Sequence, residues 1–362
     1  IEAKAMQTLR ECLKEVPFLE GPRIRREMAD SLGLDLVAEV GSGETFTNLL
    51  VEVNANGEPR YARTAAFQLG RVVSQVPTGY GVFMAPYISP RTARLCEDEG
   101  IGYIDFAGNC RLAFDNVYIR REGQPNDNIK RKSLGAIYSP KASRVLRVLL
   151  GIPLRPWKLQ DIASKGRVSI GHVSNVKKAL IDRELARDTP DGLITSEPTE
   201  ILQEWVREYL RYRSDRSSTR TFYSLLQPSE IEELLAKETG NARTQNDAPV
   251  PLDQPLVALT DFSGADRIAP FVRYQKVTAY ARTGAVVDDL AKRLDLRAVE
   301  TGANVEIITP YDESVFFGAR IERGTWIVDP LQLYLDLSTR RARGEEAAEF
   351  VYNQHLRPGW NA

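Results

Sequence analysis

The segment KLQDIASKGRVSIGHVSNVKKALIDRELARDTPDGLIT, residues 158–195, decides the fold class of the middle of this chain. Residues 158–164 carry Leu159 and Ile162 at helical spacing, 165–168 form a turn, and 169–183 read as a longer helix. In that helix Val173, Val176, Leu180 and Ile181 fall on one apolar stripe, while His172, Ser174, Asn175, Lys177 and Lys178 lie opposite. Residues 185–188 and 193–195 then flank the turn Thr189-Pro190-Asp191-Gly192, the pattern of a two-stranded hairpin. Upstream, Ser139-Pro140 gives a helix start, an N-cap followed by proline at the first helical position. Val145, Leu146, Val148 and Leu149 give that helix, 141–150, a core face. Helix, helix, turn, helix and hairpin in this order predict a winged helix-turn-helix over 135–213.

Charge supports the same reading. Between Lys141 and Arg187 the basic residues are Lys141, Arg144, Arg147, Arg155, Lys158, Lys165, Arg167, Lys177, Lys178, Arg183 and Arg187, against Asp161, Asp182 and Glu184. That is a local excess of eight positive charges in a chain whose formal net charge is −1. Double-stranded DNA is the expected partner. Lys158, Arg167, Lys177, Lys178 and Arg187 are placed to neutralise phosphates, and Ser169, His172, Ser174 and Asn175 to reach base edges in the major groove. The reading depends on the surplus being displayed on one face shaped to lie along a duplex. An idle winged helix used only for protein contact is the alternative.

Working outward, the 362 residues suggest two or three domains, with 43% hydrophobic and 27% charged residues, as expected of a globular chain. Three cysteines (Cys12, Cys96, Cys110) and two histidines (His172, His355) show neither a disulfide framework nor a zinc-site spacing, so no metal or other cofactor is expected. Nothing is long and apolar enough for a membrane span, and residues 1–10 hold no signal-peptide core, which points to the cytoplasm. Residues 1–126 alternate helix and strand signals, predicting an α/β domain with a mixed sheet. Its helices are expected near Leu9 to Phe18, over 64–76, and from Ser89-Pro90 to 99. Its strands are expected over 34–40 and 49–53, joined by Gly41-Ser42-Gly43, then over 81–88, 102–106, 111–114 and 117–120. Residues 124–132 read as a linker. So does the polar stretch 214–255, apart from one helix at 228–237. The last region, 256–362, is a second α/β domain. Its strands are predicted over 256–259, 277–280, 305–308 and 326–328, and its helices over 286–294, 330–337 and 344–351.

The first region has a nuclease outline. Leu49-Leu50-Val51-Glu52-Val53-Asn54 is similar to the strand of restriction-endonuclease-like folds in which Glu-x-Lys closes an Asp-plus-Glu metal site. Asn54 stands where that pattern has Lys and brings no positive charge to a scissile phosphate. Arg60 and Arg63 are the nearest cations, and the preceding strand offers Asp35 and Glu39. Glu39, Glu52 and Asn54 are therefore vestigial candidates in a domain expected to be inactive. A metal-dependent nuclease using Glu52 is the competing function. Asp105 and Asn109 read as turn and capping residues, and Asp312-Glu313 and Glu345-Glu346 as solvated charges or caps, with Arg341 and Arg343 as surface ion-pair partners.

Several stretches resemble the antitoxin and regulator family of type IV abortive-infection systems (AbiEi type), in a variant fused to an endonuclease-like domain. They are Val51-Glu52-Val53 with Gly57-Glu58-Pro59-Arg60-Tyr61, Ala85-Pro86-Tyr87-Ile88-Ser89-Pro90, and Gly102-Tyr103-Ile104-Asp105-Phe106-Ala107-Gly108-Asn109-Cys110. Gln332-Leu333-Tyr334-Leu335-Asp336-Leu337 and Arg343-Gly344-Glu345-Glu346-Ala347-Ala348 resemble the C-terminal domain of that family. The resemblance implies a DNA-binding repressor of its own promoter. It also implies a C-terminal domain that counteracts a cognate nucleotidyltransferase toxin. Whether the regulator works as a homodimer stays open at this stage.

Overall fold

The computed structural model describes residues 1–14, 16–42, 45–125, 137–240, 255–269, 274–340 and 343–361. They fall into two compact units, Ile1–Ser133 with Lys178–Glu184, and Leu134–Lys177 with Leu185–Ala362.

The first unit runs α1 (Glu2–Leu13), β1 (Arg23–Ile24), α2 (Arg26–Leu32), β2 (Leu36–Ser42), β3 (Thr45–Val53), α3 (Pro59–Val73), β4 (Gly79–Ala85), α4 (Pro90–Asp98), β5 (Gly102–Asp105), β6 (Cys110–Phe114) and β7 (Val117–Arg121). The strands form one seven-stranded sheet in chain order. β3, β4 and β5 are mutually parallel and the remaining pairs antiparallel. Parallel neighbours need a crossover, and α3 and α4 supply the two required. Alternation along β3 then separates two cores. Leu49 and Val51 meet Ala5, Leu9, Cys12 and Leu13 of α1, whereas Leu50 meets Ala62, Ala65 and Leu69 of α3.

Helix α1 stops at Leu13 rather than reaching Phe18. Pro17 cannot donate to the Leu13 carbonyl, and its ring would clash there. α3 starts five residues earlier than the apolar pattern suggests, because Pro59 is pre-set for the first helical position. At α4, Ser89 caps as expected, its side chain accepting from the Thr92 amide. Gly41 and Ser42 belong to β2, and Gly43 lies outside the described residues, as do residues 126–132 of the expected first linker.

The second unit begins with α5 (Pro140–Leu149), α6 (Leu159–Gly166), α7 (Ile170–Asp182) and the hairpin β8 (Ala186–Thr189) and β9 (Gly192–Thr195). The end of α7, from Lys178, groups with the first unit. There follow α8 (Pro198–Arg216), β10 (Ser218–Tyr223), α9 (Pro228–Gly240), β11 (Val257–Leu259), α10 (Asp261–Ile268), β12 (Val277–Ala281), α11 (Gly284–Arg293), β13 (Arg297–Ala298) and β14 (Val305–Thr309). The chain then closes with β15 (Arg320–Glu322), β16 (Thr325–Ile327), α12 (Pro330–Leu337), α13 (Arg343–Val351) and the short α14 (Arg357–Trp360). Its seven-stranded mixed sheet has the order β13-β10-β14-β12-β11-β16-β15. Val257, Leu259, Val277 and Ile307 face α9 and α11, while Ala258, Tyr280 and Ile308 face α10, α12 and α13. The C-terminal region is thus helices on both faces of a sheet, as its alternating pattern implies.

One expectation fails here. Residues 214–255 are not simply linker, since β10 lies within the sheet, paired with β14 from Ser218 to Phe222. Its only buried apolar residue is Phe222, so the alternation that marks a strand is faint. Helix α9 agrees with the expected 228–237, and residues 241–254 lie outside the described residues.

Helix α5 ties the helices and hairpin to this sheet unit. Arg147 is 2% exposed, donates to Gln332 Oε1 at 2.5 Å, and stacks 5.2 Å over the Trp205 ring. Arg144 grips Asp312 at 2.9 Å, and Trp360 Nε1 donates to the Leu150 carbonyl at 3.1 Å. Among the described residues no helix is long and apolar enough to cross a membrane.

Candidate nucleic-acid interface

The turn between α6 and α7 is set by Arg167, held in the left-handed region at φ +50°. Its amide donates to Ser164 O, and the Val168 amide donates to Ala163 O. Those two bonds close α6 with the paired pattern that a left-handed residue permits. Ser169 caps the following helix, its hydroxyl accepting from the His172 amide at 3.3 Å. On α7, Val173, Val176 and Leu180 are buried. Ile170, Gly171, Ser174, Asn175 and Lys178 are all exposed. Their spacing keeps them on one face of a 3.6-residue helix, so α7 offers solvent a stripe of short polar side chains ending in a cation.

The hairpin is fixed just as locally. Thr189 Oγ1 donates to the Gly192 carbonyl at 2.8 Å. Trp157 adds a third strand-like rung, exchanging two backbone hydrogen bonds of 2.9 Å with Leu193. Gly192 is obligatory there, because a Cβ would lie 2.4 Å from the Trp157 carbonyl oxygen and φ is +134°. Arg155 lies 3.8 Å over the Trp157 ring, and Arg155, Lys158 and Arg187 are exposed.

The idea that the whole cationic surplus forms one face does not survive. Arg147 is buried, and Arg144 is bound by Asp312. Lys177 is held by Asp188 of the hairpin at 2.7 Å, and Arg167 lies 3.6 Å from Glu313. In the first unit, Arg183 is 7% exposed beside Glu58, and Lys178 lies 3.9 Å from Asp182 while remaining 74% exposed. Among the described residues, Arg155, Lys158 and Arg187 have no carboxylate within ion-pair distance. His172 departs from its expected place on the outer face. It is half-buried, and burial together with the nearby Lys141 ammonium holds its imidazole pKa below the ordinary histidine value.

In the first unit the structure brings Glu52 to Asp35, one of the two acids that the preceding strand offered, and not to Glu39. Leu36 pairs with Val51, which sets Asp35 opposite Glu52. Glu39 pairs with Asn48, about 13 Å further along at ~3.3 Å per residue, and is bound by Arg25 at 2.8 Å. The Asn54 side chain accepts from the Asn56 amide in a local turn, and Asp35 accepts from the Val53 amide at 2.7 Å. Glu52 is pushed up to about 7, by burial first and by the Asp35 charge second. Among the described residues no cluster of three or more His, Cys, Asp or Glu side chains could hold a metal ion. Asp105 is a structural acceptor, as its turn suggested, taking bonds from the Ile88, Ala107 and Asn109 amides and from Asn109 Nδ2.

The Glu52 shift has a sign that can be checked. Its folded pKa, about 7, lies above the ordinary 4.5, so its contribution to stability is complete below 4.5 and lost as pH rises through 7. Glu52→Gln is therefore expected to stabilise the chain at pH 8 and to change little at pH 4.5, as read by urea denaturation at both values. Equal effects at the two values would contradict the assignment.

Sequence reasoning missed a buried polar network in the second unit. Asp336 is fully buried and accepts from Tyr209 OH at 2.6 Å, Tyr280 OH at 2.9 Å, Thr260 Oγ1 at 2.5 Å and Gln332 Nε2 at 3.0 Å, with Arg213 3.4 Å away. Beside it Arg340 bridges Asp261 at 2.5 Å and Glu306 at 3.1 Å. Its members are scattered from 209 to 340, so no local motif announces it. Of the two roles expected for Asp312, solvated charge or cap, the structure shows the cap: it is largely buried and caps the short helix Glu313–Phe316 through the Ser314 amide. Arg341 lies outside the described residues.

Residues 194–357 match the family model described as transcriptional regulator, AbiEi antitoxin, type IV TA system. The match starts inside β9 and covers the C-terminal sheet with its buried network, leaving α5 to α7 and the first unit outside it. No curated protein and no solved structure matches the chain significantly.

Proposed function

With a segment of type IV antitoxin regulators as the premise, we propose that this chain is a DNA-binding transcriptional regulator that serves as the antitoxin of such a system and represses its own promoter. In this reading α5 to α7 with the β8–β9 hairpin are a winged helix-turn-helix. With the full cationic surplus no longer on one face, the observation that carries the reading is the exposed stripe of α7, with Ser174 and Asn175 at its centre, followed in the chain by a hairpin that exposes Arg187. Ser169, Ser174 and Asn175 meet base edges, while Lys158, Lys178 and Arg187, joined by Arg155, meet phosphates. Arg167 and Lys177 position the turn and the hairpin through Glu313 and Asp188, and His172 packs rather than reads. The partners are double-stranded DNA and a cognate nucleotidyltransferase toxin, the latter met by the matched segment in the cytoplasm. No catalytic role is assigned to Glu39, Glu52 or Asn54, since Glu39 serves Arg25 and Asn54 its own turn.

Gel shifts on DNA upstream of the chain's own coding sequence test the proposal, with random duplex as comparison. Asn175→Ala is expected to cost about 1–3 kcal/mol at a single base pair and to relax preference there. An equal loss on every sequence would remove Asn175 as a reader, and no binding to any duplex at low salt would overturn the regulator.

A further inference from the structure

A recess of about 250 Å³ opens in the second unit beside the α6–α7 turn. Four cations line it, Arg144, Lys165, Arg167 and Arg282, with Phe316 forming an apolar wall. One carboxylate among the lining residues, Glu313, faces all three guanidinium groups, at 3.8 Å from Arg144, 3.6 Å from Arg167 and 3.7 Å from Arg282. Each distance exceeds the roughly 2.7–2.9 Å of a formed charge-assisted hydrogen bond. Glu313 is therefore shared among three partners and fully engages none. Asp312, just behind, is committed to Arg144 and to the Ser314 amide. Arg282 is steadied from the rear, its Nε donating to the Pro255 carbonyl at 2.9 Å and its guanidinium lying 5.1 Å over the Phe316 ring. Arg144 and Arg282 are thus held in place at the edge of the recess, with Glu313 between them and Arg167.

We propose that this recess binds a small phosphate-bearing molecule, whose phosphate oxygens take the central position that Glu313 now shares. Guanidinium forks match the oxygen spacing of a phosphate, and several of them converging on one point suit a multiply charged oxyanion better than a single carboxylate. The volume admits one or two phosphate groups on a small body, lying below the ~300–1,000 Å³ usual for drug-sized ligands. Glu313 is 47% exposed on a single short turn, so it can swing toward solvent as the anion enters. The recess shares Arg167 and Glu313 with the turn ahead of α7, whereas Arg282 and Phe316 take no part in the α7 stripe, so Arg282 is the residue whose replacement separates this site from the DNA reading.

Calorimetric titration of the full chain with pyrophosphate, at low ionic strength, tests this. One saturable site per chain is expected. Glu313→Gln should tighten it by about tenfold, since it removes a like charge from the anion's position. Arg282→Ala should abolish it, and Arg282→Lys should weaken it while keeping the charge. Absence of binding in both the unaltered chain and Glu313→Gln overturns the site. Binding that survives Arg282→Ala in a chain with an unchanged tryptophan emission spectrum places the anion elsewhere and overturns it equally.

Discussion

Asp336→Ala is expected to destabilise the second unit by about 3–5 kcal/mol, the cost of removing one partner from a buried ion pair. For a unit of this size that is a fall in melting temperature of roughly 6–20 °C, at about 2–4 °C per kcal/mol. The magnitude follows from what is left behind. Arg213, 13% exposed, loses its buried carboxylate, and the Tyr209, Tyr280 and Thr260 hydroxyls lose their acceptor at once. Both tyrosine pKa values stand well above the ordinary range, through burial first and the Asp336 charge next; the variant removes the second cause but leaves the first, so burial still opposes compensation by an ionised phenol. Asp336→Asn keeps the volume and one acceptor oxygen, and its loss should fall between those of Ala and the unaltered chain. Asp289→Ala gives the contrast. Its ion pair with Arg293 is more than half exposed on both sides, and such pairs are worth at most about 1 kcal/mol. Trp157, Trp205, Trp326 and Trp360 all belong to the second unit, so tryptophan emission during urea unfolding reports on that unit alone. A loss below 1 kcal/mol for Asp336→Ala would mean that the network carries no net stability.

The triple variant Arg155→Ala, Lys158→Ala, Arg187→Ala is expected to flatten the salt dependence of DNA binding by nearly three units, at about 0.9 for each phosphate no longer neutralised. The same relation gives an affinity deficit of nearly three orders of magnitude, about 500-fold, at 0.1 M salt that closes toward 1 M. These three are chosen because they are exposed and have no carboxylate within ion-pair distance among the described residues. Lys177→Ala should behave otherwise. Its ammonium is already neutralised by Asp188 at 2.7 Å, so the slope should hardly move while the hairpin loosens. Fluorescence anisotropy on one duplex across a salt series separates the two outcomes. A slope unchanged in the triple variant would show that the hairpin and α6 start do not touch the backbone of the duplex.

The helices and hairpin around α7 were legible because their periodicity is local. Val173, Val176 and Leu180 mark the buried face within eight residues, and Pro190 with Gly192 marks the turn. The same holds for the strands at 257, 277 and 305, whose alternating apolar residues divide between two helix layers. Charge was less legible, since a count of lysines and arginines along the chain does not see distant partners. Arg147 reads as a surface cation, yet its partner Gln332 lies 185 residues away, and Asp312 lies 168 residues from Arg144. β10 escaped because Ser218–Tyr223 buries one apolar side chain and is held mainly by backbone pairing. In the first unit Glu52 was found, but its neighbour across the ladder is Asp35 and not Glu39, a register that only the strand pairing reveals.

The seating of Arg147 between Gln332 and Trp205 bears on how such a protein can be rearranged. A reading head joined by a loose tether could be exchanged between regulators as a cassette, keeping its operator while acquiring a new effector half. In the reading proposed above, α5 is both the first helix of the reading head and a brace of the C-terminal sheet, so a transplant cut near residue 194 would strand a guanidinium in one product and an amide in the other. Recombination that preserves this seating has to carry Arg147, Trp205 and Gln332 together.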